Sequence, residues 1–153
     1  MTPSDNEKCA KRARDESANG CRLASLRKRS QLDFEIEFFE RILSRDPNYV
    51  EVLINLGDLF TRKGCHRRAL QVDLRLAGLR PKCPEVFYNL ACSYALVNQP
   101  ATAVDALQQA VELGFSDLDY LLSDPDLSSI RAHPLFQRLV ASIATRPGKQ
   151  HVI

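Results

Sequence analysis

The chain has 153 residues, of which 44% are apolar and 26% charged, with a formal net charge of +2. This is the composition of a soluble globular protein with room for one ordinary domain and a sizeable core. No apolar run approaches the ~20 residues a helix needs to cross a bilayer, and the start, MTPSDNEKCAKRARDES, has no apolar stretch of secretory type, so a membrane span is excluded and the cytoplasm is the expected compartment.

Residues 1–30 hold eight Lys or Arg against four Asp or Glu, a surplus of four positive charges, whereas the remainder holds 13 basic and 15 acidic residues. Beyond the first methionine, Leu23 and Leu26 are the only large aliphatics in that stretch. It reads as a flexible basic arm before a folded body. The five cysteines, at 9, 21, 65, 83 and 92, are odd in number and form no Cys-x-x-Cys pair. That pattern fits a reducing compartment better than a disulfide framework.

The body, 31–115, repeats itself. VLINLGDLF, residues 52–60, is matched by VFYNLACSY, residues 86–94, an offset of 34. The same interval separates Pro47 from Pro81, Ala69 from Ala103 and Leu79 from Leu113. A fixed period of this size is the signature of stacked structural repeats.

Steps of three and four residues place Leu53, Leu56, Gly57 and Phe60 along one stripe of a helix, and Phe87, Leu90, Ala91 and Tyr94 along another. Second stripes follow after a break, at Ala69, Leu70, Val72, Leu76 and Leu79 and at Ala103, Leu107, Ala110, Val111 and Leu113. Each unit is therefore expected to be two helices and a turn. Lys63-Gly64 supplies a residue that tolerates the left-handed conformation ending a helix, and Asn98-Gln99-Pro100 pairs a turn former with a good first helical residue. Pro81 and Pro84 mark the stop between units.

These residues resemble the tetratricopeptide repeat family. Its pattern is met by Leu53, Leu56, Gly57, Phe60, Ala69 and Pro81, and again by Phe87, Leu90, Ala91, Tyr94, Ala103 and Ala110. Departures are Asp73 and Leu107 at the second aromatic place, Leu76 in place of an Ala, and Phe115 where Pro is usual. Upstream, Phe39, Ile42, Leu43 and Pro47 match the second helix of a preceding unit, whose first helix is barely recognisable around Leu23 and Leu26. The resemblance implies an all-α fold: a short right-handed helical-hairpin solenoid of about two complete repeats plus a partial one.

After Phe115 the period fails. Apolar residues between 118 and 143 are punctuated by Asp124-Pro125 and His133-Pro134, which predicts two short helical segments and a last helix from about Pro134 to Ile143. An end unit is needed because the last repeat would otherwise expose its apolar face. Residues 116–145 are read as a C-terminal helical cap, and 146–153 as a free tail.

Candidate chemistry is sparse. Cys65-His66 is read as a surface turn, since adjacent residues point in different directions and no second ligand falls at metal spacing. The carboxylates at 117, 119, 124 and 126 lack the order of a calcium loop, and helix starts gather acids in any case. His133, before Pro134, is read as a cap. No catalytic residue, metal ligand or cofactor is assigned, and the chain is read as no enzyme.

In the basic arm, KRAR at 11–14 and RKR at 27–29 are the alternative signal, for nucleic acid or phosphate. Interspersed acids, the lack of aromatics there and a slightly acidic body argue against it. A third reading is an accessory subunit of an enzyme complex.

The remaining stripe is the one that packing leaves unused. Glu51, Ile54, Asn55, Asp58 and Arg62 lie on one side of the first helix, with Glu85, Tyr88, Asn89, Cys92 and Leu96 at the matching places of the next unit. Stacked units would align all ten into one concave groove, whose apolar and hydrogen-bonding groups suit a peptide segment of a protein partner. In tetratricopeptide repeats an Asn at the place of Asn55 and Asn89 commonly lines the groove. The resemblance thus implies either a backbone-holding role or a purely structural one for the pair. Ile54, Glu85 and Tyr88 stand where members that grip a terminal carboxylate carry cations, so that ligand is not expected.

Overall fold

The computed structural model describes residues 30–145. The basic clusters at 11–14 and 27–29, the weak helix expected around Leu23 and Leu26, and the tail after 145 lie outside the described residues. The described residues form helices and turns without a strand: α1 Gln31–Arg45, α2 Val50–Arg62, α3 His66–Leu79, α4 Pro84–Leu96, α5 Pro100–Glu112, α6 Leu118–Ser123, a 3-10 turn Pro125–Ile130 and α7 Pro134–Ala144. They fall into two compact units divided between Leu79 and Arg80.

In the first unit α1 packs on α2, and α2 pairs with α3 as a hairpin. Ser30 starts α1: its Oγ accepts from the Asp33 backbone N–H at 3.2 Å, replacing one bond that a helix start lacks. Lys63, at the end of α2, forms an ion pair with Asp33, and this contact, with help from Ser30, holds the Asp33 carboxyl below its ordinary range. α2 buries Leu53, Leu56 and Phe60, as the stripe predicts, and also Val52 and Leu59.

The hairpin is drawn tight where side chains are small. A Cβ placed on Gly57 would lie 3.2 Å from Asp73 Oδ1 and 3.6 Å from Val72 Cγ1, so α2 approaches α3 as closely as a glycine permits. Ala69 in α3 is fully buried. Asp73, at the second aromatic place of the repeat, is buried with it at 6% exposure.

The turns repeat with the period. Gly64 has φ of +78° and Asn98, 34 residues later, has φ of +62°. In both, the next residue's N–H reaches back across the helix end, Cys65 to the Phe60 carbonyl at 2.8 Å and Gln99 to the Tyr94 carbonyl at 2.9 Å. This is the left-handed helix stop that Gly or Asn makes cheapest.

In the second unit α4 and α5 form the equivalent hairpin, with Leu90, Ala91, Ala103, Leu107 and Ala110 buried. The 3-10 turn packs on α4, and α7 packs on α5 and α6. Leu121, Leu127, Ile130 and Phe136 are almost wholly buried, so the segment after Phe115 contributes core. The last helix ends at Ala144, one residue beyond the expected end.

Leu56 and Leu90 hold equivalent places and are 3% and 6% exposed. Leu56→Ala and Leu90→Ala are each expected to destabilise the chain by about 2–5 kcal/mol, the usual cost of an incompletely collapsed leucine cavity. Chemical denaturation of the two variants checks this; a change below about 0.5 kcal/mol in either would contradict the placement of that leucine in the core.

Candidate functional site

The ten residues of the expected groove separate into two behaviours. On α2, Glu51, Ile54, Asn55, Asp58 and Arg62 all reach solvent, Ile54 at 46% exposure, while the opposite side of the same helix is buried. Arg62 Nη1 lies 3.5 Å from Asp58 Oδ2, an exposed pair one turn apart that contributes little to stability. Asn55 Nδ2 donates to the Glu51 carbonyl at 2.7 Å, so the amide is steadied by its own helix while remaining open to solvent.

On α4 the outcome differs. Glu85 and Asn89 are exposed and Leu96 is half-buried, but Tyr88 and Cys92 are 3% and 7% exposed. The expectation that these two line an open groove is corrected, because the closing segment covers them. Tyr88 Oη donates to Asp124 Oδ2 at 2.7 Å, and Cys92 Sγ lies 3.8 Å from the same oxygen. The Tyr88 ring stacks on Phe115 at 4.5 Å between centroids and meets Tyr120 at 5.4 Å. Ser129 Oγ donates to the Ala95 carbonyl at 3.2 Å, and Arg131 Nη2 to the Asp124 carbonyl at 2.6 Å. The closing segment covers this part of α4, whereas no described residue covers the corresponding stripe of α2.

The other candidates resolve into local structure. Asp117 Oδ1 and Asp124 Oδ1 accept from the backbone N–H groups of Tyr120 and Asp126, each at 2.9 Å, and His133 Nδ1 accepts from that of Leu135 at 3.3 Å. All three cap short helical segments. Among the described residues no group of three or more His, Cys, Asp or Glu is placed to hold a metal. Cys65, read from sequence as part of a surface turn, is instead buried at 4%. The Cys65 N–H and carbonyl are both engaged, the carbonyl by the Arg68 and Ala69 N–H groups, and its sulfur is disulfide-bonded, which corrects the expectation that the cysteines stay as thiols.

Two features had no expectation. Arg68 lies with its guanidinium 4.2 Å above the Phe60 ring while pairing with Glu40, bridging α3 to α1 over α2. On α1, Phe34 and Phe38 are 58% and 53% exposed, with Tyr49 at 44% just beyond the helix end. The one-turn spacing of Phe34 and Phe38 was the signal available for that face.

Paired helices closed at 34-residue intervals by left-handed residues, with an outward polar face on α2, define a helical-repeat fold of the tetratricopeptide type. Solved structures agree. The chain is similar to MamA 41-end from Desulfovibrio magneticus RS-1, at a TM-score of 0.62 and 20% identity over 80% of this chain and 66% of that one. Two further MamA crystal structures match at TM-scores of 0.59 and 0.58 and identities of 25% and 27%, covering 79% and 76% of this chain and 68% and 71% of theirs. Over 87 residues, 55% of this chain, it is 32% identical to a chloroplastic protein of Arabidopsis thaliana, and it spans 26% of that protein. No protein-family model matches the chain.

Burial, reinforced by the bond to Asp124, pushes the Tyr88 phenol well above its ordinary value of 10.0. The folded chain therefore keeps a proton that the unfolded chain releases near pH 10, so the stability Tyr88 supplies is intact below about pH 10 and falls above it. Tyr88→Phe is expected to cost about 1–3 kcal/mol at neutral pH, by removing the donor from a buried carboxylate, and to flatten the alkaline decline. Denaturation at pH 7 and across pH 9–11 checks both; an unchanged alkaline slope would show that Tyr88 is not the group responsible.

Proposed function

We propose that the chain is a non-catalytic protein-interaction module that holds a peptide segment of a partner against the open faces of its repeat helices. The observation that carries this reading is the exposed stripe of α2. Glu51, Ile54, Asn55, Asp58 and Arg62 all reach solvent on a helix whose other side is core, and Ile54 is 46% exposed. An apolar side chain set among hydrogen-bonding groups on a rigid helix is what an anchored peptide requires. The helical-repeat fold shared with the MamA structures is compatible with the same reading.

Glu85 and Asn89 on α4 are exposed at the equivalent places and form part of the proposed peptide-binding set. Tyr88 and Cys92 leave it, being covered by the closing segment. Asn55 retains its second amide hydrogen and its carbonyl oxygen for a peptide backbone, since one hydrogen serves the Glu51 carbonyl. No helix among the described residues is long and apolar enough to cross a membrane. The proposed compartment is the cytoplasm, with the chloroplast, named for the Arabidopsis relative, as the alternative.

Asn55→Ala and Ile54→Asp change exposed groups, so their effect on stability should stay within about 0.5 kcal/mol. Their effect on binding should be large, at about 1–3 kcal/mol for each group a desolvated partner leaves unpaired. The measurement is affinity capture with the full chain and the two variants in parallel, followed by titration of the recovered partner. Variants that melt early yet bind as the parent does would make the stripe structural and move the binding surface elsewhere.

A further inference from the structure

Among the described residues Cys83 and Cys92 are free thiols, whereas Cys65 is disulfide-bonded. The sequence holds five cysteines, so the sulfur joined to Cys65 belongs to Cys9 or Cys21, both in the basic stretch before Ser30. That stretch is therefore tied to the first unit at two points, the start of α1 and the turn between α2 and α3. The two points are neighbours, because Lys63, two residues before Cys65, pairs with Asp33 in the first turn of α1. Cys21 precedes Ser30 by nine residues, up to ~30 Å of extended chain, so a return to Cys65 asks no movement of α1 or α2.

Cys65 stands where a disulfide opens readily. It immediately precedes α3, a helix of 14 residues, and its carbonyl accepts from the N–H groups of Arg68 and Ala69. The first turn of α3 holds Arg67 and Arg68 and no acid. Negative charge is stabilised at this end of a helix, and a stabilised thiolate is the better leaving group from a disulfide. Burial directs the attack: Cys65 is closed to an incoming thiolate, so the sulfur struck is the other one and Cys65 is the group that leaves. The chain keeps the thiols of Cys83 and Cys92 beside this bond. In a compartment that holds thiols reduced, the disulfides that do form are for the most part transient and catalytic or redox-sensing.

We propose that this disulfide is a redox-controlled strap: closed, it pins the basic segment before α1 to the turn between α2 and α3; open, it leaves that segment joined to the body at Ser30 alone. Opening takes two electrons from a dithiol. One of its thiolates attacks the sulfur of Cys9 or Cys21, the Cys65 thiolate leaves and takes a proton, and the dithiol's second sulfur then displaces the remaining cysteine, so that the reductant departs as its own disulfide. Closing is the same exchange reversed, with a disulfide such as oxidised glutathione as the oxidant. The strap thereby sets how far eight basic and four acidic side chains can range from the body. It uses neither Ile54 nor Asn55, so it stands or falls apart from peptide binding on α2.

The test equilibrates the full chain in glutathione buffers from oxidised to reduced, quenches by alkylation and maps the peptides by mass spectrometry without reduction. At the oxidised end the Cys65 peptide should be recovered joined to that of Cys9 or Cys21, and at the reduced end as an alkylated thiol. Circular dichroism should show the same helix content at both ends. Trypsin should cut within residues 22–29 more slowly in the closed chain, by roughly fivefold or more, and a Cys9→Ser/Cys21→Ser double variant should match the open parent in either buffer. That variant leaves the body's own residues intact, so a failure to fold does not enter the comparison. A Cys65 peptide never joined to either one, or joined to Cys83 or Cys92 instead, would overturn the proposal. So would a bond that survives excess dithiothreitol in the folded chain, or a body that unfolds when the bond opens, since either makes the disulfide a permanent staple. Equal trypsin rates in the open and closed chains would overturn it too, because the bond would then restrain nothing.

Discussion

The hydrogen bond from Tyr88 to Asp124 is the contact on which the second unit's closure turns. A repeat helix is apolar on more than one side because in a longer array it has neighbours on more than one side. Where the array stops, that surface must be covered. Here α4 is covered by its own chain: the phenol meets a buried carboxylate at 2.7 Å, Phe115 and Tyr120 both meet the ring, and the closing segment buries Leu127 and Ile130. Asp124 is suited to the place because its other oxygen caps the 3-10 turn, so one carboxylate both starts the closing segment and fastens it. Burial of that group is tolerable only because its bonds are made.

The same logic explains why the two repeats agree at their inward positions and only in part on the other side. Positions 34 apart that face inward keep their kind: Leu56 with Leu90, Gly57 with Ala91, Ala69 with Ala103. On the other side Glu51 with Glu85 and Asn55 with Asn89 are kept, but three places diverge: Ile54 becomes Tyr88, Asp58 becomes Cys92, Arg62 becomes Leu96. The second set is the more apolar because the closing segment lies over much of it, and the first remains polar because α2 keeps that face in water.

Most of the fold was therefore legible from one sequence, since a period of 34 with helical spacing fixes hairpins, and Gly64, Asn98, Pro84 and Pro100 fix where they turn. The site was legible only in part. Equivalence by period placed Tyr88 and Cys92 beside Ile54 and Asp58 as groove residues, yet what covers them comes from Asp124, 36 residues after Tyr88 and outside the repeat. Periodicity carries no information about a contact made by the segment that breaks it. The apolar drift of the second set was the available sign. A buried Cys65 was missed for a related reason: a turn flanked by Lys, Gly, His and Arg reads as solvated, but the helix stop at Gly64 folds the next residue inward.

On the peptide-binding reading proposed for α2, recognition rests on a short surface, and a short surface discriminates by charge and by one or two anchors. Glu51 and Asp58 bracket Ile54 on α2, and Arg62 offsets Asp58 only through an exposed contact at 3.5 Å, which water and salt screen. The stripe keeps a negative bias around an apolar centre. A segment bearing an aliphatic residue near a Lys or Arg complements it, while an acidic segment is repelled.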